Sequence, residues 1–385
     1  MPGVPGVKPV SHSLFFYGTL CHLPLLETVL GRYADALDVV AAQLSDHAVY
    51  WAKDERFPLI MAEPGGTAHG LLLRGLSDAD VARLSHYEGG FLYDLRACTV
   101  QTDDGLWTAD VFFPEPGQWQ AGAPWSLADW KATEAAISVR AAEEIMAWLD
   151  RMSAHDIAER FGPINNRAAS YVATQAFPPD PKRDVARDVV VHKRHRPYLN
   201  FFAVEELDLQ YRRHDGALSP PLNRAALFVG QAVVVLPYDP VRDRVMVIEQ
   251  FRAALYMAGD RAPWVWEPIA GLIDRGETPR EAATREADEE AGLTLRHLEP
   301  AGGVYSSTGS STEFLHLFIG IADLDELPEG GGGLDGEGED ILAEILPFKD
   351  LMRAVDAQEH RDMPLVACAL WLARHRESLR GRFAI

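Results

Sequence analysis

Residues 271–293, GLIDRGETPREAATREADEEAGL, constrain the local fold more tightly than any other stretch of the chain. Thr278 can cap a helix N-terminus, Pro279 suits the first helical position, and Glu281 completes a T-x-x-E capping box. Gly292 supplies the left-handed residue that ends a helix. The stretch therefore reads as a tight loop, a helix of about 13 residues and a stop. On that helix Glu286 and Glu290 are four apart and Glu289 is three beyond Glu286, so the carboxylates share one face. A solvated acidic face is the plain alternative. A carboxylate cluster repels itself unless cations neutralise it, and Mg²⁺ favours carboxylate oxygens, keeps water and bridges to phosphates. A diphosphate substrate follows from that chemistry.

The spacing is also that of a known signature. Gly271 is followed by Glu277, then by Arg285-Glu286, an aliphatic residue, Glu289-Glu290, Ala291, Gly292 and Leu293. This resembles the Nudix box at every fixed position. Reading outward, VVVLPYDPVRDRVMVIEQFRAALY, WEPIAGLID and the late GLDGEGEDI resemble the ADP-ribose pyrophosphatase branch over residues 198–375. The resemblance implies an α/β/α sandwich at residues 185–385, Mg²⁺ (or Mn²⁺) as cofactor, and hydrolysis of ADP-ribose to AMP and ribose 5-phosphate. It assigns the metal to the Ala270 carbonyl, Glu286, Glu290 and Glu339, with Glu289 supplementary, and water activation to Glu337. Arg252 and Arg224 match substrate-gripping positions, Arg224 from the partner subunit of a homodimer. Phe201 and Phe202 match an adenine-contacting segment, and Glu313 a polar contact near the ribose. The branch usually carries a Ser-Pro-Gly turn past the box; here it reads Ser307-Thr308-Gly309. Each role has a plainer rival, Arg252 as a surface ion pair and the two phenylalanines as ordinary core. The late loop LPEGGGGLDGEGED reads as floppy surface from composition and as catalytic from the resemblance.

Upstream, residues 13–113 read as short strands with one intervening helix. SLFFYGTL, HGLLLRGL and DLRACTVQT are strand candidates, TDDG is a turn before WTADVFFP, and SDADVARLSHYE opens with a Ser77–Asp80 helix start. PEPGQWQAGAPW (114–125) reads as a loop, and residues 126–152 as one long amphipathic helix with Trp130, Ala141, Ile145 and Trp148 on a stripe. AFPPDPKRD (176–184) marks a linker, and residues 364–380 a last helix. FFYGTL and HYEGGFLYDLRACTVQTDDG resemble the gamma-glutamylcyclotransferase-like, or AIG2-like, fold, a mixed β-barrel, over roughly residues 13–150, within a domain at residues 1–175. That resemblance makes Tyr17-Gly18-Thr19-Leu20 a substrate carboxylate loop and Glu88 the acid–base group. A docking module with an incidental Glu88 is the alternative.

Charge narrows the partners. The 385 residues carry 36 Lys plus Arg against 57 Asp plus Glu, a net −21, which repels phosphate backbones and anionic lipid. Nucleic acid and membrane are therefore not expected partners. The three cysteines lack CxxC spacing and the start, MPGVPGVKPVSHS, lacks an apolar core, so the expected setting is cytoplasmic. Two other readings remain from the residues: hydrolysis of a different nucleoside diphosphate sugar, and a ligand sensor that turns nothing over.

Overall fold

A computed structural model describes residues 11–89, 93–325 and 340–384. The chain divides into two compact units, residues 1–178 and 179–385.

The first unit runs β1 (His12–Phe16), α1 (Leu23–Leu30), β2 (Asp38–Ala52), β3 (Pro58–Leu76), α2 (Asp78–Glu88), β4 (Tyr93–Thr102), β5 (Gly105–Pro114), β6 (Ala121–Pro124), α3 (Leu127–Thr133), α4 (Ala135–Met146), α5 (Ala154–Ala158) and α6 (Phe161–Thr174). Strand order β3-β1-β5-β4-β2, with β2 paired back to β3, closes a five-stranded mixed barrel, and β6 adds to β2 outside the ring. Alternation along β1 builds two cores. Phe15 and Tyr17 join Leu44, Leu72, Val100 and Val111 in one. Leu14 and Phe16 join Leu25, Leu73, Leu84, Trp130 and Ala142 in the layer shared with the helices. The Ser77–Asp80 helix start is realised as a reciprocal capping box on α2.

Four expectations are corrected here. The stretch expected as short strands contains long β2 and β3, joined along most of their length, and the loop 114–125 contains β6. An additional helix, α1, was hidden because LPLLETVL is a short apolar run. Its helical signals are Pro24 at the start and left-handed Gly31 at the end. The long helix over 126–152 is broken at Glu134, which ends α3 and precedes α4. Its buried carboxylate accepts a 2.9 Å hydrogen bond from Arg56, 78 residues upstream, a tertiary demand that helical periodicity cannot register.

The second unit begins with α7 (Val185–Asp188) and the antiparallel sheet β7 (Val189–Leu199), β8 (Ala203–Tyr211), β9 (Leu222–Phe228). There follow β10 (Gln231–Asp239), β11 (Arg244–Phe251), α8 (Ala253–Met257), β12 (Trp264–Glu267), β13 (Ile269–Leu272), α9 (Pro279–Ala291), β14 (His297–Tyr305), β15 (Phe314–Ile321), β16 (Leu342–Pro347), α10 (Phe348–Asp356) and α11 (Met363–Phe383). A mixed seven-stranded sheet has the order β12-β11-β10-β15-β14, with β13 on β10 and β16 on β11. Val233, Val235, Met246 and Ile248 face α9 through Ala282, Ala283 and Ala287. Val234, Leu236, Tyr238, Val245 and Val247 face α10 and α11 through Leu351, Leu365, Cys368 and Leu372. This is the expected α/β/α sandwich. β10 changes partner along its length: Tyr238 and Asp239 pair with β11, whereas Ala232–Val235 pair with β13. The fork lets the chain pass from β12, paired with β11, to β13, paired with β10. Among the described residues no helix is long and apolar enough to cross a membrane.

Candidate active sites

The glutamate-bearing helix α9 forms where its caps dictate. Thr278 and Glu281 complete the capping box, Pro279 occupies the first turn, and Gly292 ends the helix at φ 55°. Its inner face is alanine, so the backbone lies close to the sheet and Glu286 and Glu290 are drawn down to 9% and 3% exposure. Glu290 accepts a 3.0 Å hydrogen bond from the Ala270 N–H on β13. Glu286 rests against Gly271, where an added Cβ would lie 1.9 Å from its Oε1. The glycine is therefore required by close approach of a carboxylate rather than by backbone conformation.

Arg285 organises the outer carboxylates. Its guanidinium donates to both oxygens of Glu277 (2.8 and 3.0 Å), to Glu286 (2.7 Å), to Glu289 (2.8 Å) and to the Leu272 carbonyl (3.1 Å). These bonds hold the Glu277 carboxyl below the usual carboxylate range. Glu289 is thus turned onto Arg285 while Glu286 and Glu290 face β13. Among the described residues no three His, Cys, Asp or Glu side chains form a cation-holding group. The donor chemistry nevertheless fits a hard divalent cation: two buried carboxylates, all-oxygen ligands, against a glycine-lined turn. Glu337 and Glu339 lie outside the described residues.

Arg252, at the end of β11, is paired in a bidentate manner with Glu267 of β12, through Nε and Nη2 at 2.6–3.0 Å. Burial opposes its charge, but Glu267, Glu290 and Asp362 more than offset this and raise its pKa. Asp362, which caps α11, is itself pushed up to about 6 by burial. The ion-pair rival for Arg252 is therefore real, yet the pair is built into the site face. Arg224 stands exposed on β9, bonded to the Asn223 carbonyl, with no hydrogen bond or ion pair to α9 among the described residues. Phe201 and Phe202 are 57% and 41% exposed, edge to face at 4.9 Å, so they are not core. Ser307 heads a turn closed by the N–H groups of Ser310 and Ser311, with Gly309 inside it. The half-buried Glu313 follows, its carbonyl accepting from Ser306.

In the barrel unit the predicted residues converge. Tyr17 directly follows β1 and donates to the Phe112 carbonyl at 2.9 Å. Gly18 passes so close to Pro58 that a Cβ would lie 2.3 Å from its Cγ. Thr19 to Cys21 form a tight turn that sinks Leu20 into the core, so Leu20 anchors the loop while its backbone stays at the site. Glu88, the last residue of α2, is partly covered as a residue, and burial of its carboxyl pushes it up to about 7. Burial likewise raises Tyr17 and Tyr93, with the Glu88 charge adding to both. Tyr93 donates to the Pro58 carbonyl at 3.4 Å. Tyr93 and Pro58 were not singled out in the sequence, although Tyr93 stands inside the motif that carries Glu88.

Both units match known families. The NUDIX domain family matches residues 229–365, and the gamma-glutamyl cyclotransferase, AIG2-like family matches residues 14–132. An ADP-ribose pyrophosphatase of Escherichia coli strain K12 is 32% identical over 197 residues, which span 51% of this chain and 93% of that protein. The chain belongs to the Nudix hydrolase family. An ADP-ribose pyrophosphatase of Haemophilus influenzae is 34% identical over 162 residues, 42% of this chain and 74% of its own. A GDP-mannose pyrophosphatase of Escherichia coli is 29% identical over 163 residues, 42% and 83% respectively. The protein is thus a Nudix hydrolase with an AIG2-like domain before it.

The Nudix-box arginine gives a direct test of this arrangement. Arg285→Gln removes the guanidinium and leaves Glu277, Glu286 and Glu289 facing one another without a cation. Partly exposed charges are screened, so the expected loss in the unfolding free energy of the Nudix unit is about 2 kcal/mol. Denaturant unfolding of the full chain at low salt reads it. A change below roughly 0.5 kcal/mol would mean that Arg285 only decorates the carboxylates.

Proposed function

We propose that the Nudix domain, residues 185–385, hydrolyses the diphosphate of ADP-ribose to AMP and ribose 5-phosphate with Mg²⁺ or Mn²⁺. The carrying observation is the buried Glu286–Glu290 pair on β13 beside the Arg252–Glu267 pair. A cation would be held by Glu286, Glu290 and the Ala270 carbonyl, supplemented by Glu289 and Glu339. When bound, it supplies neutralisation of phosphate charge. Glu337 takes a proton from water, the water oxygen bonds to one phosphorus, and the bridging P–O bond breaks. Arg252 meets the substrate with the guanidinium edge that Glu267 leaves open. The exposed Phe201–Phe202 pair offers a stacking surface for the base, and Glu313 with the Ser307–Gly309 turn supports the ribose end. The family resemblance has Arg224 grip the substrate from a partner subunit, which supports a homodimer; light scattering should give the mass of two chains. The free Cys21, Cys98 and Cys368 support a cytoplasmic setting, which cell fractionation tests.

The test is phosphate release from a panel of nucleoside diphosphate sugars, coupled to a phosphatase, with and without Mg²⁺. ADP-ribose should lead by at least about tenfold in kcat/KM, the scale of one discriminating contact. Faster turnover of GDP-mannose would transfer the assignment to another sugar, and binding without turnover of any member would favour the sensor.

A second reading concerns the AIG2-like domain, residues 1–175, and rests on the Glu88 carboxyl poised near neutrality. The α-amine of a γ-glutamyl group attacks its own γ-carbonyl, forming the lactam C–N bond and releasing the amine. Glu88 takes the proton from the attacking nitrogen and returns it to the leaving one. Release of 5-oxoproline from γ-glutamyl amines tests this; its absence would leave the domain a docking module.

A further inference from the structure

The site face of β11 carries one polar group for which neither the fold nor the assignments above account. Gln250 is 6% exposed, yet its amide Nε2 has no hydrogen-bond partner among the described residues. An unpaired buried amide is destabilising, so a strand that retains one needs a reason. The reason is visible in the register. Gln250 lies directly opposite Val265, and Ile248 directly opposite Glu267. Directly opposed residues share a face, as do residues two apart on a strand. Ile248 packs in the layer under α9. Gln250 and Glu267 therefore look toward α9, the helix whose Glu290 is bonded to Ala270.

Arg252 follows two residues later, with Nε and Nη2 on Glu267 and no hydrogen bond from Nη1 among the described residues. Two neighbouring donors, the cationic Arg252 Nη1 and the buried neutral Gln250 Nε2, thus lack a partner among the described residues on the face that carries the buried glutamates. Acidic side chains surround them: Glu267, Glu290 and Asp362 all lie close enough to act on Arg252. None of these takes the Gln250 amide in a hydrogen bond. What the pair lacks is an oxygen-rich, anionic guest.

We propose that Gln250 is a substrate-binding residue of the Nudix site, its amide N–H donating to an oxygen of the diphosphate next to the one taken by Arg252. This rests on the reading of the site as a nucleoside diphosphate hydrolase. A neutral donor suits the position: it adds no charge where Arg252 already balances Glu267, and it discriminates by direction. Substrates lacking an acceptor there leave the amide unpaired, so Gln250 sets specificity as well as affinity.

The test uses the full chain with Gln250→Met, which keeps length and volume but removes the amide, and Gln250→Glu, which keeps shape but replaces the donor with an anion. With ADP-ribose and Mg²⁺, Gln250→Met should raise KM about tenfold to a hundredfold, the worth of a bond to a charged oxygen, with kcat within threefold. Its unfolding temperature should be unchanged or higher, because an unpaired buried donor has been removed. A purely structural glutamine would give the reverse. Gln250→Glu should bind worse than Gln250→Met, since it repels phosphate and captures the open edge of Arg252. KM within twofold of wild type in Gln250→Met, at any stability, overturns the proposal while leaving the hydrolase reading intact. If the wild type hydrolyses no diphosphate, calorimetric binding of ADP-ribose in Ca²⁺ decides. Weaker binding by Gln250→Met then keeps the role of Gln250 and sinks the hydrolase reading, and no binding by wild type sinks both.

Discussion

Glu290→Gln should lower diphosphate hydrolysis at saturating Mg²⁺ by at least about two orders of magnitude, the scale of charge stabilisation at a metal centre. The substitution is unusually clean. The glutamine keeps a carbonyl oxygen that can still accept the Ala270 N–H, so the α9–β13 contact survives. What disappears is one negative charge at 3% exposure, where no solvent screens it. The loss should therefore appear in kcat, with the unfolding midpoint little changed. Titrating Mg²⁺ separates the causes: a weakened cation site should recover in part at high metal. Activity within threefold of wild type would remove α9 from the chemistry.

The second large effect belongs to the other domain and runs in two directions. Glu88→Gln should abolish any γ-glutamyl cyclotransfer, a fall of about 10²–10⁴ for loss of a positioned acid–base group. The same change should stabilise the barrel at alkaline pH. Burial raises the folded-state Glu88 pKa from 4.5 to about 7. A carboxyl raised in this way holds its proton more tightly when folded. Its contribution is fully present below the unfolded value and is lost as pH rises through about 7. By pH 8 the wild type must ionise a covered carboxyl, at an order-of-magnitude cost of about 3 kcal/mol. Glutamine has no such cost at any pH. Wild type and variant should therefore unfold at similar temperatures at pH 5 and diverge at pH 8, with the variant higher. Equal midpoints at pH 8 would show that the carboxyl is hydrated in solution and is not poised for proton transfer near neutrality.

Legibility in the sequence followed the range of the forces involved. The α9 helix could be read to its ends because its cap, first-turn proline and terminal glycine all act within a few residues. The shared face of Glu286 and Glu290 followed from helical period alone. Glu267 and Gln250 could not be read in this way. They reach the site through the pairing of β11 with β12 and the fork in β10, and strand register is not written in either segment by itself. Glu289 stays beside Glu286, both accepting from the same Arg285 nitrogen. In the barrel, the motif located Glu88 and Tyr17 separately. That Tyr93 and Pro58 close around them depends on three strands meeting at one end. The break at Glu134 likewise answers to Arg56, far upstream.

The alanine face of α9 has a consequence for how this enzyme could change its substrate. Ala282, Ala283 and Ala287 are wholly buried and Ala291 nearly so, with the sheet directly beneath. Any larger residue there would lift the helix and carry both glutamates off β13 together. Glycine would loosen the helix itself, so mutation at these sites has nowhere neutral to go. On the proposed assignment, diversification is left to positions off the helix: Gln250 and Arg252 at β11, Phe201 and Phe202, and the Ser307 turn. A library built on the Phe201–Phe202 and Ser307 positions, with the helix left alone, would vary the surroundings of the carboxylate pair while keeping that pair in place.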